Sequence, residues 1–430
     1  LSRFTNLTTN NKKLKTLSYA YDNVGNRLSK SVTDKKKKTS NHTYQYDEIY
    51  RLLSASLIKN QRNQRPKKKE VYSYDPVGNR LNGPKSKNSY IYNNGNQLLT
   101  DRKHQYTYDS NGNLTKKVKH HKIWTYEYDY ENRLIKVIKT KDVDKKIISF
   151  KYDPFGRRVE KKVEKIEEGE VEEIKTYSYV YDNEDILLEY LTKTKTKKGK
   201  TKTKSETTRY IHGPGIDEPL AIEQNNKCYY YHADGLGSIT GLTNNKGKVV
   251  QRYEYDSFGK IKKHGHKVKQ PYTYTAREWD KETGLYYYRA RYYDADAGRF
   301  LTYDPLNFAQ LQIDRQSSNS IIRYISEVVY QHGLRNPQVT NPYAYVASNP
   351  ISWSDPQGLI WAKLGKKFAQ WVAKKFQKKA LGDSLQRGAE AERKFLKCFE
   401  ECTSKDNGCN DQSRANECIK KCDVESLKDE

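Results

Sequence analysis

A repeated phrase limits what this chain can become. Tyr19-Ala20-Tyr21-Asp22-Asn23-Val24-Gly25-Asn26-Arg27-Leu28 is echoed at Tyr44-Gln45-Tyr46-Asp47 and again at Tyr72-Ser73-Tyr74-Asp75-Pro76-Val77-Gly78-Asn79-Arg80-Leu81. It returns at Tyr106-Thr107-Tyr108-Asp109-Ser110-Asn111-Gly112-Asn113-Leu114, at Tyr126-Glu127-Tyr128-Asp129 and at Tyr152-Asp153-Pro154-Phe155-Gly156-Arg157, with Tyr90-Ile91-Tyr92-Asn93 as a worn copy. Spacings of roughly 16 to 29 residues between the motif aspartates describe a repeat array rather than separate globular domains. Each unit reads as a Tyr-x-Tyr strand, an Asp-x-x-Gly-Asn reversal that uses a positive-φ glycine, and an Arg-Leu return strand. One hairpin cannot bury its own face, so consecutive hairpins must pair side by side.

Composition narrows the kind of core. There are 37 Tyr against 10 Phe and no Met, and only 35% of the 430 residues are hydrophobic, which argues against an oily helical interior. Tyrosine covers an apolar layer with its ring and hydrogen-bonds with its hydroxyl, so an extended, half-wet, tyrosine-rich sheet is expected. The formal charge of +27 would suit a nucleic acid or an anionic membrane. The lysines, however, come in short runs between strand signals, at 35–38, 67–69 and in the tract TKTKTKKGKTKTK at 192–204, and are expected in solvated loops. No RNA-recognition, zinc-finger or helix-turn-helix pattern accompanies them, so a nucleic-acid partner is not expected. No secretory signal and no run of about 20 apolar residues is present. The chain opens on leucine inside the repeat array, so a missing N-terminal portion, with its shell strands or export module, is expected.

The densest stretch is 276–305, AREWDKETGLYYYRARYYDADAGRFLTYDP. Asp280-Lys281-Glu282-Thr283-Gly284 and Asp294-Ala295-Asp296-Ala297-Gly298 read as turns, and YYYRARYY between them as one strand with a partly basic face. The stretch closely resembles the RHS-repeat-associated core, and the Tyr-x-Tyr-Asp units resemble the YD repeat that accompanies it. Ala295 stands where that core usually has proline, and Asn307 where its first DPxG has glycine. Tyr229-Tyr230-Tyr231-His232-Ala233-Asp234-Gly235-Leu236-Gly237-Ser238 and Tyr253-Glu254-Tyr255-Asp256-Ser257-Phe258-Gly259 also resemble RHS-core segments. His232 and Asp234 have no nucleophile beside them, and a turn-stabilising role is expected.

The resemblance implies a mainly β fold, a long sheet of YD hairpins coiled into a hollow shell. Its parts are a shell at 1–191, a Lys/Thr-rich loop at 192–207 and a core at 208–359 that closes on Asp355-Pro356-Gln357-Gly358-Leu359, with an insertion at about 308–338. A variable α-helical, cysteine-rich domain follows at 360–430. The resemblance further implies an intramolecular aspartyl protease, with Asp355 and Asp304 as its two carboxylates and Leu359-Ile360 as the bond cut. Two carboxylates close enough to share a proton can divide the base and acid roles. Asp294 and Asp296 are carboxylates that could substitute.

After the boundary, Trp361, Leu364, Phe368, Trp371, Val372 and Phe376 recur at helical spacing among lysines, a basic amphipathic pattern over 360–380. Such a helix suits an anionic membrane interface or packing against the shell wall. Five of six cysteines fall at Cys398, Cys402, Cys409, Cys418 and Cys422; the sixth is Cys228. A turn at Asp406-Asn407-Gly408 would align Cys398 with Cys422 and Cys402 with Cys418, and the pattern resembles twin Cys-x-x-x-Cys helical hairpins held by disulfides, a feature of oxidising compartments. Zinc held by the same four thiolates is the competing arrangement, though the usual ligand spacing is shorter. No cofactor motif is present. The function implied is a secreted or surface shell that encloses an effector, cuts it free and has an immunity partner; the rivals are a non-enzymatic cell-surface adhesion or carbohydrate-binding protein, as in the YD shells of teneurins, and an inactive truncated remnant.

Overall fold

The structure, a computed structural model, describes residues 2–7, 13–34, 37–58, 68–84, 89–197, 199–265, 267–305 and 341–359. Every strand pairing among these residues is antiparallel, and within each sheet the strands lie side by side in sequence order. Six strands, β1 (Ser2–Leu7) to β6 (Lys68–Val71), form one sheet; β7 (Ser73–Tyr74) and β8 (Arg80–Asn82) form a hairpin. Sixteen strands, β9 (Ile91–Tyr92) to β24 (Ile261–His264), make an unbroken meander. Its far end returns to the first sheet: Lys30 on β3 (Arg27–Asp34) pairs with Asp234 at 2.7 Å, and Glu70 on β6 accepts from the Ser257 amide and hydroxyl at 3.0 and 2.6 Å. The meander therefore curls on itself, as the intrinsic twist of a long antiparallel sheet favours.

Each repeat closes by one local device. In the first, Asp22 N–H donates to Asn26 O, Gly25 N–H to Asp22 O with φ +87, and the Asp22 carboxylate accepts from the Asn26 amide and side chain at 2.7 and 2.8 Å. Where arginine replaces that asparagine, its Nε takes over, as in Arg51–Asp47, Arg133–Asp129 and Arg157–Asp153 at 2.6 to 2.7 Å. A one-residue register shift follows, so the fifth residue after each aspartate points inward. Arg27, Leu52, Arg80, Leu98, Leu114, Leu134 and Arg158 occupy that position, and all are buried.

The second tyrosine of each unit ties one hairpin to the last. Tyr46, Tyr74, Tyr92, Tyr128, Tyr152, Tyr181 and Tyr255 donate through their hydroxyls to the carbonyls of Arg27, Leu52, Arg80, Leu114, Leu134, Arg158 and Ile239, at 2.6 to 2.9 Å. Phenylalanine would fill the same space but leave a buried carbonyl unpaired, which is the physical case for tyrosine here.

The segment from β25 (Glu278–Asp280) through β26 (Leu285–Tyr288), β27 (Arg291–Asp294) and β28 (Arg299–Phe300) packs inside the curl. YYYRARYY is not one strand. It is the β26–β27 hairpin, turning at Arg289 with φ +58, and both faces are aromatic and buried. Tyr286, Tyr288 and Tyr293 join Phe300 and Tyr345 on one side, while Tyr287 and Tyr292 meet Phe150, Val137 and Val163 of the meander on the other. A two-residue turn resets the alternation that a single strand would have carried through.

Sequence reading also misplaced the lysine tract. Residues 192–197 and 200–207 are not a loop between domains: they lie in β18 (Asp185–Lys197) and β19 (Lys200–His212), which pair without a bulge from Leu188–Arg209 to Lys197–Lys200. Strict Thr-Lys alternation keeps the threonines on one face and the lysines on the other, a β pattern whatever its polarity. The expected insertion, the helix over 360–380 and the C-terminal cysteines lie outside the described residues; Cys228 is half-buried in β21 (Lys227–Ala233).

Candidate active site at the end of the core segment

Buried charge anchors the core segment to the meander. Arg158, fully buried, meets Asp280 at 2.5 Å and Glu278 at 2.7 Å, and Lys161 meets Asp280 at 2.9 Å. Burial alone would raise the Asp280 carboxyl, but Arg158 and Lys161 hold it below the ordinary carboxylate range. Tyr287, Tyr286 and Tyr343 donate to the carbonyls of the turn glycines Gly156, Gly259 and Gly112 at 3.1, 2.7 and 2.7 Å, so the core lies along the row of YD turns.

That anchoring brings together residues distant in sequence. Arg291 begins β27 and is buried, its guanidinium 3.6 Å from the Phe300 ring centroid. Its Nη2 lies 2.6 Å from Asp304 and 3.6 Å from Asp355, and both carboxylates are buried. Its Nη1 donates to Pro342 O at 2.9 Å, and its Nε to Gly358 O. Asp355 opens the last turn: Gly358 N–H donates to its carbonyl, and Leu359 N–H donates to its Oδ1 at 2.9 Å. Gly358 has φ +67, and a Cβ there would fall 2.4 Å from Tyr288 O, so only glycine lets the chain pass. A crevice lined by Asn132, Arg133, Tyr152, Ala290 and Thr302 runs beside Arg291.

Burial pushes the Asp355 carboxyl up to about 7 against the opposing pull of Arg291, and burial lowers the Arg291 guanidinium despite its two acidic neighbours. A carboxyl at about 7 is near half-protonated at neutral pH and can donate a proton to a neighbouring carbonyl. The arrangement offers one carboxylate paired with a guanidinium, a second carboxyl able to carry a proton, and a backbone turn bonded to that second carboxyl and to the guanidinium.

Asp304 and Asp355 both lie beside the Arg291 guanidinium, and the Leu359 amide bonds Asp355; Ile360 is outside the described residues. The proposed substitutes are committed elsewhere. Asp294 pairs with buried Lys117 at 2.7 Å and caps its own turn, and the half-exposed Asp296 pairs with Lys260. His232 bonds Thr243 at 2.9 Å and Asp234 caps its turn, a structural role for both. Sequence reading missed Arg291 as the residue between the carboxylates, having placed it on the partly basic face of a single strand. The available signal was an arginine inside a run of aromatic residues, where a charge calls for a buried partner.

The comparisons agree with this architecture. The profile of the teneurin YD-shell matches residues 2–338. The chain belongs to the teneurin YD-shell family. This YD-shell chain is 30% identical over 310 residues to a tRNA3(Ser)-specific nuclease WapA of Bacillus spizizenii, covering 70% of this chain and 11% of that protein. It is 31% identical over 305 residues to salivary gland surface protein 1 of Aedes aegypti, covering 68% and 8%. It is 27% identical over 315 residues to double-stranded DNA deaminase toxin A of Burkholderia cenocepacia, covering 69% and 20%. The YD-shell chain therefore spans at most a fifth of the length of these relatives.

Proposed function

We propose that this YD shell encloses a C-terminal effector and releases it by cutting itself after Leu359. The observation that carries the reading is the burial of Asp304 and Asp355 around one Arg291 guanidinium, directly beside the Leu359 amide. Asp304 serves as base toward a water, Asp355 protonates the Leu359 carbonyl as the tetrahedral carbon forms, and Arg291 keeps the two groups in place. Water adds to the Leu359 carbonyl carbon; the C–N bond to Ile360 then breaks, and the departing amine takes up a proton. Two relatives named as a nuclease and a deaminase toxin favour an enzymatic or toxic payload. In this reading the payload is the 360–430 segment, a helical unit with Cys398–Cys422 and Cys402–Cys418 disulfides and a basic 360–380 helix for an anionic membrane. Its setting is outside the producing cell, with an export module and an immunity protein as partners.

Denaturing mass spectrometry of the whole chain tests this. A fragment beginning at Ile360, absent in Asp355→Asn and Asp304→Asn, is expected; one intact mass in all three samples refutes it. That result would favour the second reading, a non-enzymatic surface protein, which the surface-protein relative supports.

A further inference from the structure

The β18–β19 hairpin departs from the rest of the meander. Toward its tip, Lys193 faces Lys204, Lys195 faces Lys202 and Lys197 faces Lys200, while Thr194 and Thr196 bond Thr203 and Thr201 across the opposite face at 3.1 and 3.2 Å. Like charges directly opposite on one face of a sheet repel. Glu173 on β17 (Glu170–Asp182) relieves Lys193 and Lys195 at 3.1 and 3.2 Å. Among the described residues, no ion pair to a carboxylate is present at Lys197, Lys200, Lys202 or Lys204, and all four are exposed.

Protection of a sheet edge explains only part of this. The edge of β19 is open from Lys200 to Thr207, because β20 (Pro219–Gln224) pairs only with Thr208 to His212. Lysine on such an edge blocks association with another strand, but one row on β19 would do that, and β18 is an inner strand. The doubled row makes a ladder of positive charge, two residues or roughly 7 Å per step along each strand, with the strands roughly 5 Å apart. It carries no aromatic side chain on which a base could stack and no arginine for a planar, bidentate acid. Lys197 and Lys200 lie at the strand ends opposite the Asp182–Asp185 turn.

We propose that Lys197, Lys200, Lys202 and Lys204 bind a linear phosphate polymer through regularly spaced charge, without reading bases or sugars. The ladder supplies point charges in a line, the repulsion within it is relieved when anions bridge the rows, and counterions leave the polymer as they do so. This inference stands apart from self-cleavage, which does not involve the hairpin.

The test uses the full chain and long-chain inorganic polyphosphate, with binding measured by calorimetry across a salt series. The expected slope of log affinity against log salt from these four lysines is about −3, at roughly 0.7 per phosphate neutralised. Replacing all four with Gln should weaken binding at least tenfold and flatten that slope. Replacing exposed Lys37, Lys38, Lys103 and Lys248 with Gln removes the same net charge and should change affinity less than twofold. Circular dichroism should show the same fold in all three proteins. No binding at about 0.1 M salt, or equal weakening in the two variants, overturns the proposal. Single-stranded RNA of matched charge binding ten times tighter than polyphosphate also overturns it, since bases would then be read.

Discussion

Replacing Arg158 with Met tests how the core segment is held. The substitution keeps an apolar stem of similar reach but removes the guanidinium from Asp280 at 2.5 Å and Glu278 at 2.7 Å, two carboxylates that stay buried. Lys161, at 2.9 Å from Asp280 and 3.6 Å from Glu282, continues to serve Asp280 but has no ion pair with Glu278. Breaking one side of a buried ion pair costs about 3–5 kcal/mol, a large share of an ordinary domain's stability. The sign with pH follows. In the native chain Asp280 is held below the ordinary carboxylate range, so its contribution is present above the unfolded-state value and lost only in acid. Without Arg158 its carboxyl moves upward, and the variant loses stability as pH rises. The deficit should therefore be larger at pH 8 than at pH 5. Adding Asp280→Asn should recover part of the loss at pH 8. Urea unfolding followed by the fluorescence of Trp279, which lies between the two acids on β25, reads this directly. A deficit under about 1 kcal/mol at pH 7.5, or a larger one at pH 5 than at pH 8, would refute the anchoring argument.

Other consequences are as specific. Tyr46→Phe, Tyr152→Phe and Tyr255→Phe should each lower unfolding stability by about 0.5–1.5 kcal/mol and add nearly independently, because each removes one tie between different hairpins; strong non-additivity in denaturant midpoints would contradict separate ties. Gly25→Ala and Gly259→Ala both force alanine to φ near +88, but only at Gly259 would the new Cβ fall 2.4 Å from the Tyr274 ring. The first should cost about 1 kcal/mol and the second about 1–3 kcal/mol more, and equal losses would show that the ring yields freely. Asp355, raised from 3.8 to about 7 by burial, contributes stability that is complete below pH 4 and lost as pH rises through 7. The stability of wild type relative to Asp355→Asn should therefore fall by about 4 kcal/mol between pH 4 and pH 8, three units at about 1.4 each; a flat difference would mean the carboxyl ionises freely.

Local chemistry was legible from residues alone. Asp22 followed by Gly25 and Asn26 specifies its turn within five positions, and the aspartate side chain closes it in the folded protein as it could in an isolated hairpin. The repeat of that unit was enough for an antiparallel meander. Tyr181-Asp182 is not among the repeats recognised in the sequence, yet the Tyr181 hydroxyl makes the same tie to Arg158 O. The lysine tract was misjudged because polarity was allowed to outweigh alternation. In the core hairpin, the eight residues YYYRARYY fit one strand by periodicity, and only packing on both faces favours a turn at Arg289.

Residue order alone specifies the turns, which rest on contacts between residues five positions apart or fewer, and the inward tyrosines, whose face follows from strand alternation. Tertiary structure decided which buried charges meet. Arg291 with Asp304 and Asp355, and Arg158 with Glu278 and Asp280, are pairings between residues that no local rule links. They form because a curled sheet with a segment inside it leaves these groups no water, and a charge without water must find its opposite.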